Sequence, residues 1–553
     1  MIDNKMWLDR LEESLVEPFY NNQTEAERND GFKDTLSFGT AGIRSTFGIG
    51  PGRLNAFTVR KVAYGLAKYM VRQVDEPTIV IHYDTRFLSQ DFAKEMASVL
   101  AINNVKVIIS KDYKSTPELS FAVRNLEADA GIMITASHNP KQYNGIKVYN
   151  KDGGQLLPEP SEELSVCIDE IDNPLALETQ PFNQLLEQGL IQYLPEEVTD
   201  HYKAQVRELV GRIDSNHIKT VLTSLHGTSL PVVADILKSL DYDNFVIEET
   251  QSRPDGDFPT VERANPEELA AFDLGVKLAD RVGAELIIAT DPDADRFGFI
   301  ERYEDGSSTY FNGNEIGLIM MKLRYQEALE SGQQLYMAKS IVTSELAERF
   351  GDLLGVEVNN VLTGFKYISE LLESKSQKEE TLLLAFEESH GYLAAPFSRD
   401  KDAIQMVPLV IKYKNLLADN GLTFKDTLDD IYRQIGEFKD ITLSPKFEGT
   451  EGKSTINAIM DQFRGEQVLS ICGLEVQSVE DYEAGVITHV TTGEQQSLSL
   501  PHANLIRFIF KEGFIALRPS GTEPKIKLYF SLEVDDINHV AQEFKRHYVD
   551  SVQ

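Results

Sequence analysis

The chain has 553 residues, of which 42% are hydrophobic and 26% are charged, and its formal net charge at pH 7 is -34. This length exceeds what one hydrophobic core usually organises, so several domains are expected. The negative charge argues against nucleic acid and anionic lipid as partners, and no apolar run approaches the roughly 18 residues that a membrane span needs.

The N-terminal segment and the cysteines indicate the cellular compartment of the protein. Residues 1–15 are acidic and amphipathic, without the basic start or the apolar stretch of a signal peptide. Cys167 and Cys472, the two cysteines, lie far apart and form no metal or redox motif. We therefore expect a soluble, cytoplasmic protein without disulfide bonds.

Short apolar runs, polar loops and helical stretches alternate along most of the chain. Continuous β-branched runs are typical of strands buried on both faces, in parallel or mixed sheets covered by helices. The runs are TIVIHY (78–83), VKVIIS (105–110), GIMIT (131–135), TVLTSL (220–225), ELIIAT (285–290) and LLLAF (382–386). The pattern predicts an α/β fold, with loops that carry chemistry at strand ends.

The C-terminal segment has a different pattern of predicted strands and helices. FIALRP and KIKLYF (514–530) predict antiparallel strands in an α+β domain. Counting one αβ unit around each polar loop divides the chain near residues 200, 312 and 440. The predicted domains are 1–200 with Ser137, 201–312 with a metal-binding loop, 313–440 with a sugar-binding loop, and 441–553 with a phosphate-binding loop.

The motif TASHNPKQYNGIKVYN (135–150) follows the buried run GIMIT. A nucleophilic serine needs an exposed strand end and neighbours that polarise it, and Ser137, His138 and Lys147 supply these groups. A serine that merely caps a helix is the alternative for an isolated Ser-His pair. There is no GxSxG sequence around Ser137, which argues against an α/β-hydrolase.

The motif DPDADR (291–296) follows the run ELIIAT. Three carboxylates at alternate positions, Asp291, Asp293 and Asp295, can converge on one hard cation. An EF-hand loop begins similarly, but here its sixth position is Arg296 and its twelfth is Arg302, instead of Gly and Glu. A magnesium ion completed by a phosphate oxygen is the better interpretation.

The motif RPSGTEPKIK (518–527) gathers hydroxyls, flexible backbone and cations in an otherwise acidic protein. These are the groups that hold a phosphate monoester. A plain turn between two strands is an equally good interpretation of this loop alone.

The motif FEESHGYL (386–393) offers Glu387 and Ser389, two residues apart on an extended strand end. Side chains at this spacing point the same way and could bind neighbouring sugar hydroxyls. Solvent-exposed polar residues are the alternative. Four shorter motifs contribute cations that matter only as a set, namely FGTAGIR with Arg44, YDTRF with Arg86, LTGFKYI with Lys366 and SRDKD with Lys401.

Taken in order, FGTAGIR, TASHNPKQYNGIK, DPDADR, TGFKYI, FEESHGY and RPSGTEPKIKLY resemble the motifs of the α-D-phosphohexomutase superfamily. The resemblance runs from about residue 37 to 531 and is greatest to its branch of bacterial phosphoglucomutases and phosphopentomutases. It implies three similar α/β domains with mixed sheets and a C-terminal α+β domain, arranged around a central cleft.

The resemblance also implies site residues. Ser137 corresponds to the phosphoserine, and Asp291, Asp293 and Asp295, with Ser137, to the magnesium ligands. The implied catalytic residues also include His138, Lys147 and Arg44, and the general base stays open among Lys147, His138 and Lys401. The implied substrate-binding residues are Arg296, Thr363, Gly364, Glu387, Ser389, Lys401, Arg518, Ser520, Gly521, Thr522 and Lys525.

The activity implied by the resemblance is that of a phosphoglucomutase, an isomerase-class phosphotransferase with one Mg²⁺ per chain and glucose 1,6-bisphosphate as intermediate. A base, with Lys147 at a depressed pKa as one option, takes the proton of the attacking hydroxyl. The alternatives are phosphopentomutase or phosphomannomutase, a metal-dependent sugar phosphatase, and a non-catalytic phosphosugar-binding protein. The expected partner is a phosphosugar, and the chain is expected to be a monomer or homodimer.

Overall fold

A computed structural model describes residues 3–39, 42–329, 332–447, 452–465, 468–520 and 525–552. The chain forms two compact units. The first comprises residues 1–313, 365–385 and 389–424, and the second comprises residues 314–364, 386–388 and 425–553. In the part of the chain that the structure describes, no helix is long and apolar enough to cross a membrane.

Helices cover the sheets and begin at recognisable caps. Asn55 accepts hydrogen bonds from the backbone N–H groups of Phe57 and Thr58, and Ser115 forms a capping box with Glu118. The α-helices are α1 (Asn4–Leu8), α2 (Glu17–Tyr20), α3 (Glu25–Asp30), α4 (Ala56–Val71), α5 (Ser89–Ile102), α6 (Thr116–Asn125), α7 (Pro158–Asp169), α8 (Phe182–Glu187), α9 (Glu196–Val210), α10 (Leu230–Ser239), α11 (Glu249–Ser252), α12 (Asp273–Val282), α13 (Gly313–Ala328), α14 (Leu346–Leu354), α15 (Phe365–Lys375), α16 (Ala403–Asp419), α17 (Phe424–Ile435), α18 (Gly452–Gly465) and α19 (Ile537–Phe544).

The strands overlap all six apolar runs of the sequence, because residues buried on both faces of a sheet must all be apolar or small. They are β1 (Ile43–Thr46), β2 (Thr78–Tyr83), β3 (Lys106–Ile109), β4 (Ala130–Ile134), β5 (Tyr143–Asn150), β6 (Ile191–Tyr193), β7 (Thr220–Thr223), β8 (Phe245–Ile247), β9 (Leu286–Thr290), β10 (Phe297–Arg302), β11 (Ser308–Tyr310), β12 (Gln334–Ser340), β13 (Glu357–Val361), β14 (Glu380–Glu387), β15 (Gly391–Leu393), β16 (Lys439–Leu443), β17 (Ser470–Ile471), β18 (Leu474–Glu475), β19 (Ser478–Asp481), β20 (Val486–His489), β21 (Gln495–Ser497), β22 (Ile506–Phe510), β23 (Gly513–Pro519) and β24 (Ile526–Leu532).

The first unit contains two mixed sheets. One has the strand order β1-β5-β4-β2-β3-β6, in which β4, β2, β3 and β6 are parallel while β1 and β5 run antiparallel to their neighbours. The other has the order β11-β10-β9-β7-β8, with β9, β7 and β8 parallel. The chain leaves β2, β4 and β9 at their carboxyl ends into polar loops, which is where ligands bind in open α/β sheets.

The second unit contains the parallel pair β12 and β13 and a seven-stranded sheet. The order of that sheet is β16-β24-β23-β22-β19-β20-β21, and every pairing is antiparallel. Its inner face packs on α18 and α19 through Phe463, Phe508 and Phe544. The α/β class and the different, antiparallel character of the C-terminal domain are thus confirmed, while the predicted boundaries at 200, 312 and 440 stay predictions.

Candidate active site

Ser137 stands in a tight turn after β4. Its φ is 51°, in the left-handed region that a non-glycine residue occupies at a cost of about 1–2 kcal/mol. Its backbone N–H donates to Thr135 Oγ1 at 2.8 Å, and the residue is only 3% exposed. The turn therefore holds one serine in an uncommon conformation that must be stabilised by its surroundings.

The hydroxyl of Ser137 faces the loop that follows β9. Ser137 Oγ donates to Asp291 Oδ2 at 2.7 Å, across 154 residues of sequence. The other oxygen, Asp291 Oδ1, accepts from the backbone N–H groups of Asp295 at 3.1 Å and Arg296 at 3.0 Å. One carboxylate thus shapes its own loop and contacts the serine at the same time.

The three aspartates form one cluster. Asp291, Asp293 and Asp295 are buried, and each offers a carboxylate oxygen within 4.8 Å of those of the other two. Asp293 Oδ1 and Asp295 Oδ1 are buried oxygens that accept no hydrogen bond from any described residue. Unpartnered buried carboxylate oxygens are costly, and a hard divalent cation is the ligand that would satisfy them. The donor set therefore fits the magnesium ion expected from the sequence.

Two lysines neutralise part of this charge. Lys147 Nζ, on β5, lies 2.9 Å from Asp293 Oδ2 and 3.5 Å from Asp295 Oδ2. Lys401 Nζ lies 3.1 Å from Asp295 Oδ2 and 3.0 Å from Asp400 Oδ1. A Cβ atom on Gly391 would lie 2.1 Å from the Lys401 side chain, so this position needs glycine for the lysine to pass.

Burial and neighbouring charges shift the pKa values of this cluster in opposite directions. Burial, with the charges of Asp293 and Asp295, raises the pKa of Asp291 well above its ordinary value. Burial also acts to raise the pKa of Asp295, but Lys401 and Lys147 outweigh it and lower that pKa.

The pKa of Lys147 differs from the sequence-based expectation. Burial acts to lower this pKa, but Asp293 and Asp295 outweigh burial and the nearby Lys401, so the pKa is raised from its ordinary value. The expectation of a depressed pKa was therefore wrong for this cluster, because the sequence did not reveal that two carboxylates contact the amine.

The other catalytic candidates of the first unit lie around the same loops. His138 Nδ1 is 3.3 Å from Ser137 Oγ. Arg44, exposed on β1, donates from Nη1 to Asn139 Oδ1 at 3.1 Å.

Arg296 and Ser389 also meet within the first unit. Arg296 donates to the backbone oxygen of Ser389 at 3.1 Å and pairs with Glu267. Strand β14 ends at Glu387, and Ser389 stands in the turn beyond it. The alternation that predicted a common direction for Glu387 and Ser389 therefore does not extend to Ser389.

Candidates of the second unit form a group of their own. The backbone N–H of Gly364 donates to Glu387 Oε1 at 2.8 Å. Beside Glu387, the carboxylate of Glu388 accepts from Thr343 Oγ1 at 3.2 Å. Thr363 Oγ1 is buried and has no hydrogen-bond partner among the described residues.

The phosphate-binding candidates follow β23. Arg518 is the second-last residue of this strand, and the backbone N–H of Ser520 donates to the carbonyl of Lys525 at 2.8 Å. Burial and the charge of Glu388 raise the pKa of Tyr529, and the charges of Arg518 and Glu387 also act on this hydroxyl. Arg518 and the sugar-binding candidate Glu387 thus lie near one tyrosine. The predicted residues Gly521 and Thr522 lie outside the described residues.

Supporting residues were missed or underrated by sequence reasoning. Thr116 Oγ1, at the start of α6, donates to Asp293 Oδ2 at 2.7 Å, and nothing in its local sequence distinguishes it from an ordinary helix start. Tyr149 and Gln155 donate to Asp400 Oδ2 at 2.7 and 2.9 Å, and so hold the carboxylate that contacts Lys401. Arg86 was noted in the sequence as the cation of the motif YDTRF, but its contacts with other parts of the chain are visible only in the structure.

Family models match most of the chain. They are described as phosphoglucomutase/phosphomannomutase alpha/beta/alpha domain I over residues 35–175, domain II over residues 198–306, domain III over residues 312–435, and the C-terminal domain over residues 475–546. The four matches occur in the order in which the motifs occur along the sequence.

Several individual proteins are similar in sequence or in fold to most of this chain. The chain is 64% identical to a phosphoglucomutase of Staphylococcus saprophyticus over 99% of both chains, and 50% identical to a phosphoglucomutase of Staphylococcus epidermidis over 97% of this chain and 98% of that one. Its fold is similar to that of a phosphoglucomutase/phosphomannomutase family protein from Burkholderia thailandensis, with a TM-score of 0.67 at 17% identity, covering 94% of this chain and 97% of the other. The chain belongs to the phosphoglucomutase/phosphomannomutase family, within the α-D-phosphohexomutase superfamily.

Proposed function

We propose that the chain is a phosphoglucomutase, which interconverts glucose 1-phosphate and glucose 6-phosphate through a phosphoserine at Ser137 and a glucose 1,6-bisphosphate intermediate. The observation that carries the proposal is the 2.7 Å hydrogen bond from Ser137 Oγ to Asp291, within a buried cluster of three aspartates and two lysines. The names of the relatives at 64% and 50% identity support glucose as the sugar.

The first half-reaction moves the phosphoryl group from Ser137 to the sugar. The free hydroxyl oxygen of the sugar forms a bond to phosphorus, the bond from phosphorus to Ser137 Oγ breaks, and the hydroxyl proton passes to a base. Lys147, His138 and Lys401 are the candidates for this base. His138 Nδ1, at 3.3 Å from Ser137 Oγ, is placed to exchange a proton with the serine oxygen itself.

The second half-reaction returns the other phosphate of the bisphosphate to Ser137. The sugar must present its opposite end to the serine, so hydroxyl-binding groups must accept both orientations. We assign this role to Glu387 and Ser389, together with Thr363, Gly364 and Arg296. We assign to the phosphates Arg44, Arg518, Ser520, Gly521, Thr522 and Lys525, because guanidinium and hydroxyl donors suit phosphate oxygens.

The aspartate cluster is assigned to one Mg²⁺ per chain. Its ligands would be Asp291, Asp293 and Asp295, with an oxygen of phosphorylated Ser137. When bound, the ion supplies positive charge beside the oxygens of the transferring phosphoryl group. Lys147 and Lys401 orient two of the carboxylates by direct contact. A cytoplasmic location and a monomeric or homodimeric state stay predictions from the sequence.

The test is a coupled assay of the purified protein with Mg²⁺ and catalytic glucose 1,6-bisphosphate. Glucose 1-phosphate, mannose 1-phosphate and ribose 1-phosphate are compared, and inorganic phosphate is measured in parallel. The proposal predicts the highest kcat/KM on glucose 1-phosphate and no net phosphate release. A preference for ribose 1-phosphate would indicate a phosphopentomutase instead, and stoichiometric phosphate release would indicate a phosphatase.

A further inference from the structure

The Arg86 side chain contacts the loop that carries Ser137. It follows β2, and its side chain is fully buried. The guanidinium donates to the carbonyl oxygens of Ser137 and of Asn139, the latter at 2.6 Å, and to those of Pro140 at 3.1 Å and Tyr143 at 3.2 Å. A single side chain thus binds four carbonyls of one loop.

Asp84, two residues before Arg86, also binds the start of this loop. Thr135 Oγ1 donates to Asp84 Oδ2 at 2.6 Å, and the Ser137 N–H in turn donates to Thr135 Oγ1. Arg86 Nε lies 3.5 Å from Asp84 Oδ2. The turn after β2 therefore fixes both polar groups of the Ser137 backbone, its N–H through Thr135 and its carbonyl through Arg86.

The guanidinium also contacts the segment that precedes the aspartate cluster. Its central carbon lies 4.9 Å from the centroid of the Phe258 ring, and Thr85 Oγ1 donates to the carbonyl of His226 at 2.8 Å. These contacts join the turn after β2 to the segment between β7 and β9, and β9 leads into Asp291. The turn that binds the Ser137 loop therefore also contacts the chain that precedes the aspartate cluster.

We propose that Arg86 is a positioning residue for phosphoryl transfer, which holds Ser137 in the left-handed conformation that directs its Oγ to Asp291. The proposal rests on the function proposed above. A serine at a φ of 51° is strained, and the carbonyl contacts of the guanidinium offset that strain. Without them the turn relaxes and the serine oxygen moves from its position, while the groups assigned to substrate binding are unchanged.

Lysine cannot replace Arg86 in this role. The planar guanidinium presents several N–H groups in a fixed geometry, which suits carbonyls on both sides of a loop. An ammonium group keeps the charge but has a different geometry and cannot reach all four oxygens at once. Arg86→Lys therefore separates the positioning role from the mere presence of a buried cation.

The experiment compares Arg86→Lys and Arg86→Ala with the unmodified enzyme and with Arg60→Lys. Arg60, on α4, is a matched control, because it is also a buried arginine of the first unit. Its Nε lies 2.7 Å from Oε2 of Glu95. For the Arg86 variants we expect kcat to fall about 100-fold with KM for glucose 1-phosphate little changed, since a small displacement of the reacting group has an effect of that size. Arg60→Lys should keep its kcat.

Two further measurements distinguish positioning from general stability. Guanidinium ion should restore part of the kcat of Arg86→Ala, whereas ammonium at equal ionic strength should not. Hydrogen exchange over residues 135–143 should be faster in Arg86→Lys, and exchange in α4 and β3 should be unchanged.

The outcomes separate this inference from the proposed function. Absence of mutase turnover in the unmodified enzyme would refute the proposed function, and unchanged exchange over residues 135–143 in Arg86→Lys would refute the positioning role independently of activity. With an active unmodified enzyme, an unchanged kcat in folded Arg86 variants overturns the inference. If both Arg86 variants fail to fold while Arg60→Lys folds, Arg86 is a structural residue and the inference is wrong.

Discussion

Ser137 Oγ and Asp291 Oδ2 are 2.7 Å apart, although 154 residues separate them in the sequence. The serine follows β4 of one sheet and the aspartate follows β9 of another. A hydroxyl oxygen so close to a cluster of metal-binding type is an arrangement that suits the phosphoryl transfer we propose through Ser137.

Replacing Ser137 with alanine should abolish mutase turnover and leave the fold intact. The change removes the oxygen that we propose to carry the phosphoryl group and alters no charged side chain. Ser110→Ala is the control, because Ser110 follows β3 of the same sheet, is buried, and has no hydrogen bond through Oγ to any described residue. Turnover by Ser137→Ala at the rate of Ser110→Ala would exclude the phosphoserine route.

Asp293→Asn should weaken Mg²⁺ binding and lower kcat by roughly 100-fold, because it removes one charged ligand and the partner of Lys147. Metal binding is measured by calorimetry on the protein without substrate, and turnover is measured over a Mg²⁺ series. Treatment of the unmodified enzyme with a chelator should abolish turnover reversibly. Asp305→Asn, in an exposed turn, should bind the metal normally. Equal metal affinity in the two variants would show that the cluster is not the metal site.

Arg518→Ala should raise KM for glucose 1-phosphate about 10- to 100-fold with a smaller change in kcat, since a charge-assisted hydrogen bond to a ground-state phosphate is lost. Steady-state kinetics of the variant are compared with those of Arg546→Ala, an exposed arginine of the same unit. An unchanged KM would show that Arg518 does not hold a substrate phosphate.

His82 should contribute to loss of stability in acid. It is fully buried on β2, and this burial lowers its pKa from 6.5 to about 4. The unfolded state therefore binds a proton below pH 6.5 while the folded state does not, so stability falls as pH drops from 6.5 towards 4. Between pH 7 and pH 5 this group should cost about 2 kcal/mol.

The measurement is the thermal unfolding midpoint at pH 7 and pH 5. In His82→Leu the difference between the two midpoints should be smaller than in the unmodified protein. His217→Leu, whose side chain is 74% exposed, should leave the difference unchanged. An equal pH dependence in all three proteins would show that the His82 ring is hydrated or hydrogen-bonded when folded.

Much of the fold could be predicted because its strands are buried on both faces and therefore form continuous apolar runs. TIVIHY coincides with β2, and ELIIAT differs from β9 by one residue. The motifs that follow β4 and β9 could be assigned to strand ends for the same reason.

What the sequence could not provide is long-range geometry, such as the approach of Lys147 to Asp293 and Asp295, which reverses the expected direction of the pKa shift of Lys147. The carbonyl contacts of Arg86 are equally non-local, since donors to backbone oxygens leave no residue pattern in the accepting loop.

The most direct test of the central claim is to find the phosphate on Ser137 and follow its transfer. The protein is incubated with glucose 1,6-bisphosphate and Mg²⁺, and its peptides are mapped by mass spectrometry before and after glucose 1-phosphate is added in excess. We predict one phosphate on Ser137. After glucose 1-phosphate is added, this phosphate should be transferred to the sugar, which forms glucose 1,6-bisphosphate, at a rate no slower than kcat. Phosphate on another residue, or phosphate on Ser137 that glucose 1-phosphate does not remove, would contradict the account.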